Sequence, residues 1–189
     1  MLRLMRVLGA VLAGGEASRF GSDKALAKIG GETLLDRAVA VLKDQCNAVC
    51  VVGRRSAPVQ TVADWPRPGL GPLGGISGAL RHARDLGLPY VLTCAVDIPK
   101  LPVDLVRQLT PAPACVAAQP VVGLWRVADI AVLDALLASE QQHSLIAFAN
   151  ACGARRVELS RKLGNINTRE DLESYEGEGN GASAKPFAK

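Results

Sequence analysis

Apolar residues recur along the chain in two alternating patterns. Val7 to Leu12 (VLGAVL) is a short apolar run closed by a glycine cluster, as expected of a strand buried on both faces. Past that cluster, TLLDRAVAVLKDQ puts Leu34, Leu35, Ala38, Val39 and Leu42 on one helical stripe, and Thr33 with Asp36 forms a variant capping box at its start. The alternation repeats. AVCVVG (Ala48 to Gly53) reads as a strand, GGISGALRHARDLG as a helix, YVLTCAV (Tyr90 to Val96) as a strand and PVDLVRQL as a short helix. Strands separated by helices predict parallel pairing and right-handed crossovers. Then ACVAAQPVVGLWRV (Ala114 to Val127) gives one or two strands, IAVLDALLA and SLIAFANAC give helices, and RRVEL a last strand. The predicted fold is α/β: a single-domain, three-layer Rossmann-like arrangement with a mostly parallel central sheet flanked by helices. It spans residues 1–175, divided near residue 110, and is followed by a polar, glycine-rich tail over 176–189 that is expected to stay flexible for want of apolar surface.

Composition narrows the class. With 189 residues and 49% apolar content, one domain can bury a core without disulfide or metal staples. The net charge of +4 is spread along the chain and aromatics amount to only 4%, which offers few stacking platforms for nucleic acid. The five cysteines, Cys46, Cys50, Cys94, Cys115 and Cys152, form no CxxC pair and have no nearby histidine, so they read as buried thiols in a reducing compartment. The basic, apolar N-terminus is interrupted by Arg6 and runs straight into the glycine loop, unlike a signal peptide, and no apolar run reaches the ~20 residues that cross a bilayer. A cytoplasmic protein that engages neither membrane nor nucleic acid is expected.

The candidate chemistry lies at the loops that follow strands, where an open parallel sheet binds its ligands. After the first strand, LAGGEASRFGSDKA carries Gly14, Gly15 and Gly21 with Arg19 and Lys24. Backbone N–H groups, an arginine fork and a lysine point charge together suit a polyphosphate. The stretch matches neither the dinucleotide fingerprint nor the Walker motif, and by itself it also suits an ordinary strand-turn-helix unit. GPLGGI (Gly71 to Ile76) reads as a second glycine loop opening a helix. Asp97, in AVDIPKLP, stands just past the carboxyl edge of a strand, in a loop stiffened by Pro99 and Pro102. A carboxylate there can ligate Mg2+ beside phosphates, or cap the helix that follows. His82 and His143 read as structural or solvated, and Trp125 as core.

In order and spacing, LAGGEASRFGSDKA, GPLGGI, AVDIPKLP and NINTREDL resemble the molybdenum cofactor guanylyltransferases, within the nucleotidyltransferases that activate sugars and alditols. The resemblance spans Val7 to Leu172. It implies a magnesium-dependent nucleotidyltransferase fold and activity: transfer of GMP from GTP to the terminal phosphate of molybdopterin, with release of pyrophosphate. It places nucleotide binding on Leu12, Ala13, Gly14 and Lys24, with Gly15 beside them, a guanosine contact on Asp64 and the magnesium ligand on Asp97. Arg19, Lys24 and Asp97 would carry the catalysis. Gly14 stands where cytidylyl-specific relatives usually carry alanine, which favours guanine. The family often has asparagine where this chain has Gly53, and cysteine where it has Val96; a contact at position 53 could use only the backbone.

The second half of the chain is expected to hold the acceptor, through Gln119 in QPVVGLW and Asn165 and Asn167 in NINT. Asparagine amides both donate and accept, as reading a pterin or orienting a phosphate requires. The same asparagines suit plain turn chemistry ahead of a helix capped by Thr168. Cofactor-insertion proteins and molybdoenzyme chaperones are conceivable partners. Alternatives are a cytidylyl- or sugar-phosphate nucleotidyltransferase and, in a different class, a non-catalytic nucleotide or pterin carrier.

Overall fold

The computed structural model describes residues 5–14, 23–139 and 143–180. Strand β1 (Val7–Leu12) is followed, beyond the undescribed 15–22, by a 3-10 turn at Lys24–Leu26 and a small hairpin of β2 (Lys28–Ile29) and β3 (Glu32–Thr33). Helix α1 (Leu34–Lys43) begins at Thr33, whose hydroxyl accepts from the Asp36 N–H and donates to the Asp36 carboxylate, as the capping reading expected. All five stripe residues of α1 are buried. Strands β4 (Ala48–Val52) and β5 (Gln60–Val62), helix α2 (Gly71–Asp85) and strand β6 (Tyr90–Ala95) complete the first half. Helix α3 (Leu105–Leu109), strands β7 (Ala114–Val116) and β8 (Gly123–Arg126), helices α4 (Ile130–Ala138) and α5 (Leu145–Ala151), strand β9 (Arg155–Val157) and helix α6 (Arg169–Asn180) follow.

Seven strands form one sheet in the order β5-β4-β1-β6-β8-β7-β9. Pairing is parallel except around β8, which runs antiparallel to both β6 and β7. The reason is local. Only Ala117 to Val122 join β7 to β8, a connection too short for a crossover and long enough only for an antiparallel return. One face of the sheet packs against α1, α3 and α6 through Val7, Val11, Leu34, Leu42, Leu92 and Leu105. The opposite face packs against α2, α4 and α5 through Leu8, Val52, Ile76, Leu80, Trp125 and Phe148. The alternation of Val7 and Leu8 between those faces is the period-two signal of a strand buried on both sides. Trp125 is fully buried against Phe148, with ring centroids 4.9 Å apart, and its indole N–H donates to the Thr93 hydroxyl. It is core, as expected.

Two expectations are corrected. Gly71 to Ile76 is not a loop opening a helix, because α2 includes all six residues. Its glycines serve close approach instead. A Cβ on Gly78 would stand 2.2 Å from the Ala63 carbonyl oxygen, and one on Gly74 would stand 3.1 Å from the Leu70 Cβ and 3.5 Å from the Asp64 Cβ, so α2 lies on the chain leaving β5 at a distance no side chain permits. The helical spacing of Gly74, Gly75 and Gly78 carries that signal, whereas Gly71 has φ +58° and a Cβ there would meet nothing within 4 Å. At the C-terminus, α6 runs to Asn180, five residues into the segment expected as tail, and residues 181–189 lie outside the described residues.

Among the described residues no helix is long and apolar enough to cross a membrane. The cysteines are free, and four are buried. Burial pushes the Cys46 and Cys50 thiols up to about 12 and the Cys152 thiol to about 11, well above the range in which a thiolate acts as nucleophile or ligand.

Candidate active site

Because β5, β4, β1 and β6 are parallel neighbours, their carboxyl ends share one edge of the sheet. That edge holds Leu12, Ala13 and Gly14 after β1, Asp64 after β5 and Asp97 after β6, with Lys24 bonded to Asp97. The ladder continues past the strand ends, with the Ala13 N–H donating to the Val52 carbonyl at 3.0 Å, the Gly53 N–H to Val62 at 3.1 Å and the Val96 N–H to Leu12 at 3.2 Å. Leu12, Ala13 and Gly14 are thereby held between the chains leaving β4 and β6.

Gly14 and Gly53 face each other across the strand ends. Gly53 has φ +82°, and a Cβ there would meet the Gly14 Cα at 2.6 Å and its nitrogen at 2.8 Å. A Cβ on Gly14 would meet the Gly53 Cα at 3.1 Å. The glycine at position 53 is therefore a requirement of this backbone, and the side chain of an asparagine has no room. Asp64 lies in the same corner: its Oδ1 is 3.7 Å from where a Cβ on Gly53 would stand and 3.8 Å from one on Gly75. Burial holds the Asp64 carboxyl above the usual carboxylate range, and it makes no hydrogen bond or ion pair among the described residues. Asp64 is only partly buried, so its oxygens are open to water or to the N–H donors of a ligand.

The next group stands across β1. Asp97 follows β6 and caps no helix; α3 begins only after Asp104. Its Oδ2 accepts from the Lys24 ammonium at 3.0 Å, with both side chains largely shielded from water. Lys24 also donates to the Asn167 amide oxygen at 3.3 Å. The NINT segment is tied to the same loop through its backbone, since the Ile166 N–H donates to the Asp97 carbonyl at 2.9 Å. Asn167 itself is held by α6: the Asp171 carboxylate accepts from the Asn167 and Thr168 N–H groups at 2.7 and 2.8 Å, and the Thr168 hydroxyl accepts from the Asp171 N–H at 3.1 Å. Thr168 is thus a helix cap, while Asn167 reaches the lysine. The turn chemistry expected of this segment is present at both Asn167 and Thr168, and the Asn167 side chain bonds to Lys24 in addition.

The other acceptor-side candidates form a group of their own. Gln119 donates through Nε2 to the Leu163 carbonyl and the Asn165 amide oxygen, each at 3.1 Å. Its Oε1 is buried without a hydrogen-bond partner among the described residues. Gly15 and Arg19 lie outside the described residues. His143 pairs with the Ser139 carbonyl at 3.0 Å.

Sequence reasoning missed one element of this site. The Arg54 guanidinium forms a fork with the Asp23 carboxylate, NH1 to Oδ1 at 2.9 Å and NH2 to Oδ2 at 2.5 Å. Asp23 in turn accepts from the Ala25 N–H at 3.2 Å, capping the 3-10 turn that carries Lys24. An aspartate directly ahead of that lysine is a cap signal visible in the sequence; its arginine partner, 31 positions on, is visible only in the fold.

A profile of the MobA-like NTP transferase domain matches residues 9–159. The molybdenum cofactor guanylyltransferase of Rhodobacter capsulatus is 34% identical, with 89% of this chain and 94% of that protein covered. The enzyme of the same name from Rhizobium johnstonii is 35% identical, over 88% of this chain and 90% of that one. The crystal structure of molybdopterin-guanine dinucleotide biosynthesis protein A from Archaeoglobus fulgidus superposes with a TM-score of 0.72 over 92% of this chain and 99% of that one, at 18% identity, which shows the shared fold. By its sequence, the chain belongs to the molybdenum cofactor guanylyltransferase family and, through its domain, to the MobA-like NTP transferases.

Proposed function

We propose that this edge of the sheet transfers GMP from GTP to the terminal phosphate of molybdopterin. One observation carries the reading: Lys24 is bonded at once to Asp97, from the nucleotide half, and to Asn167, from the acceptor half. A cation at that junction faces both the triphosphate and the incoming phosphate.

In the reaction an oxygen of the acceptor phosphate forms a bond to the α-phosphorus of GTP while the α–β bridging bond breaks, and pyrophosphate leaves with the bridging electron pair. The attacking oxygen is already anionic. No general base is needed, in keeping with a site of lysine, carboxylate and amides, and positioning with charge neutralisation carries the rate. The chain's own contributions follow from where its groups stand. The close packing of Gly14 on Gly53 fixes the backbone at the strand ends against which a nucleotide would lie, Asp64 offers an acceptor for the N–H edge of guanine, and Lys24 supplies positive charge at the phosphates. Arg19, from the adjoining segment, would share that load. Asn165, Asn167 and Gln119 would orient the acceptor.

Magnesium fits the donors present. Among the described residues no three His, Cys, Asp or Glu side chains cluster as a metal cage. Mg2+ does not require one, since it is commonly held by one or two carboxylates together with substrate phosphates and water. Asp97 is the carboxylate in place to hold it, and with GTP bound the ion would supply neutralisation of phosphate charge.

The test is pyrophosphate release from each of the four nucleoside triphosphates with molybdopterin, followed by mass analysis of the product. GTP-dependent release and a product heavier by one GMP unit are expected. A preference for CTP, or GTP binding without turnover, would overturn the reading.

A further inference from the structure

Lys24 is fixed from two directions. In front, its ammonium meets Asp97 and Asn167; behind, the turn that carries it is capped by Asp23, and Asp23 is gripped by Arg54. Ala25, the next residue, is buried and pins the other side of the turn. Arg54 is well placed for that grip. It directly follows Gly53, whose backbone is locked against Gly14 and whose N–H is bonded to the Val62 carbonyl. The guanidinium is mostly shielded, at 17% exposure, and its two-point fork fixes the orientation of the carboxylate, which a point charge would not. The same contact holds the Asp23 carboxyl below its ordinary value. The Gly53-Arg54 dipeptide therefore touches residues on both sides of 15–22: Gly14 through the backbone and Asp23 through the guanidinium.

We infer that Arg54 is a positioning residue for Lys24, acting through Asp23 to hold the lysine where the triphosphate binds. The inference rests on the proposed role of Lys24 at the phosphates and adds a residue that role does not require. An ordinary surface ion pair would matter little to either folding or binding. This one closes a chain from the end of β4 to the ammonium, so its loss is felt at the ligand.

A double-mutant cycle on GTP affinity separates the possibilities, with binding measured by calorimetry and folding by thermal unfolding. Arg54→Ala is expected to weaken GTP binding about tenfold, as residues sharing one hydrogen-bond network do when uncoupled, with an unfolding midpoint near that of the wild type. In a Lys24→Ala background the same change is expected to have no further effect. Arg54→Lys keeps the charge and loses the fork; its smaller loss must also vanish in the Lys24→Ala background. Equal losses in both backgrounds would overturn the inference, since Arg54 would then be touching the nucleotide itself. An unchanged affinity in Arg54→Ala and Arg54→Lys would overturn it as well. If Lys24→Ala alone leaves GTP affinity unaltered, the phosphate role of the lysine is wrong, and the inference falls with it.

Discussion

The two sides of the site are made of different material. On the proposed nucleotide side the decisive contacts are between backbones: Gly14 against Gly53, and α2 against the Ala63 carbonyl through Gly78, with the Asp64 carboxylate close to Gly53 and Gly75. On the acceptor side they are between side-chain amides and carbonyls, Gln119 to Asn165 and Leu163, and Asn167 to Lys24. A surface built from bare backbone is intolerant of added volume and indifferent to small changes of polarity. A surface built from amides behaves in the opposite way, because each amide can be replaced by a similar shape while its donors and acceptors are lost. Among the described residues Lys24 bonds to groups of both sides, and Asp97 pairs with it and accepts from the Ile166 N–H, so substitutions at these two should not respect the division.

The largest effect is expected where the sides meet. Asp97→Asn keeps the shape and removes the charge that would hold magnesium and pair with Lys24. Turnover should fall by about 10²- to 10³-fold, the range for loss of one electrostatic contact to developing charge, while GTP affinity and the unfolding midpoint change little. Added magnesium should restore part of the rate, because the defect is one of occupancy. Steady-state turnover against magnesium concentration checks this, and a wild-type rate with wild-type magnesium dependence would remove Asp97 from the chemistry. Lys24→Ala should come next, weakening GTP binding by about 1.5 to 3 kcal/mol, as loss of a charge-assisted contact does. It should also raise the acceptor KM through Asn167, and a loss confined to GTP would mean that the lysine belongs to one side alone.

Added volume tests the nucleotide side directly. Gly78→Ala places a methyl group 2.2 Å from the Ala63 carbonyl, a contact that backbone must relieve by moving. Thermal unfolding should show a loss of about 1 to 3 kcal/mol, the usual range for overpacking. Ala63 precedes Asp64, so GTP affinity should fall with it, while the acceptor KM stays where it was. Unaltered stability would mean that α2 shifts freely and that its glycines are not a close-packing device.

How much of this was legible in the sequence depends on how far the information had to travel. Strand β1, α1 and its Thr33 cap, β4 and β6 were readable because their signals are local periodicities and caps. The three-residue β5 and the two-residue strands β2 and β3 are too short to show a period, and their pairing is imposed by neighbours. The helix was read from GGISGALRHARDLG, but Gly71 to Ile76 was also read as a loop opening it because glycine disfavours helix interiors, whereas α2 begins at Gly71 and close approach at Gly74 and Gly78 outweighs that preference. The site followed the same rule. Lys24 could be named from the charged glycine loop that follows β1 and from the family resemblance, and Asp97 from its place just past β6. That they bond to each other, across 73 positions, and that Asn167 joins them across 143, could not be read from spacing. The Arg54 fork escaped for the same reason.

The smallest effect is expected on the acceptor side, and it sharpens the comparison most. Gln119→Ala deletes the donors to Asn165 and Leu163 and leaves the backbone path between β7 and β8 intact, since the Gln119 carbonyl still accepts from the Val122 N–H at 2.9 Å. Each lost hydrogen bond is worth about 0.5 to 1.5 kcal/mol. Asn165, no longer oriented, should therefore raise the molybdopterin KM by roughly two- to tenfold. GTP affinity should not move, because no hydrogen bond links Gln119 or Asn165 to Lys24, Asp97 or Asp64 among the described residues. Gln119→Glu provides the control, with nearly the same shape and no donor: if amide chemistry is what the acceptor side uses, glutamate should be at least as damaging as alanine, its negative charge also opposing an anionic acceptor. If glutamate instead restores the wild-type KM, Gln119 is filling space, and the acceptor side works by shape just as the nucleotide side does.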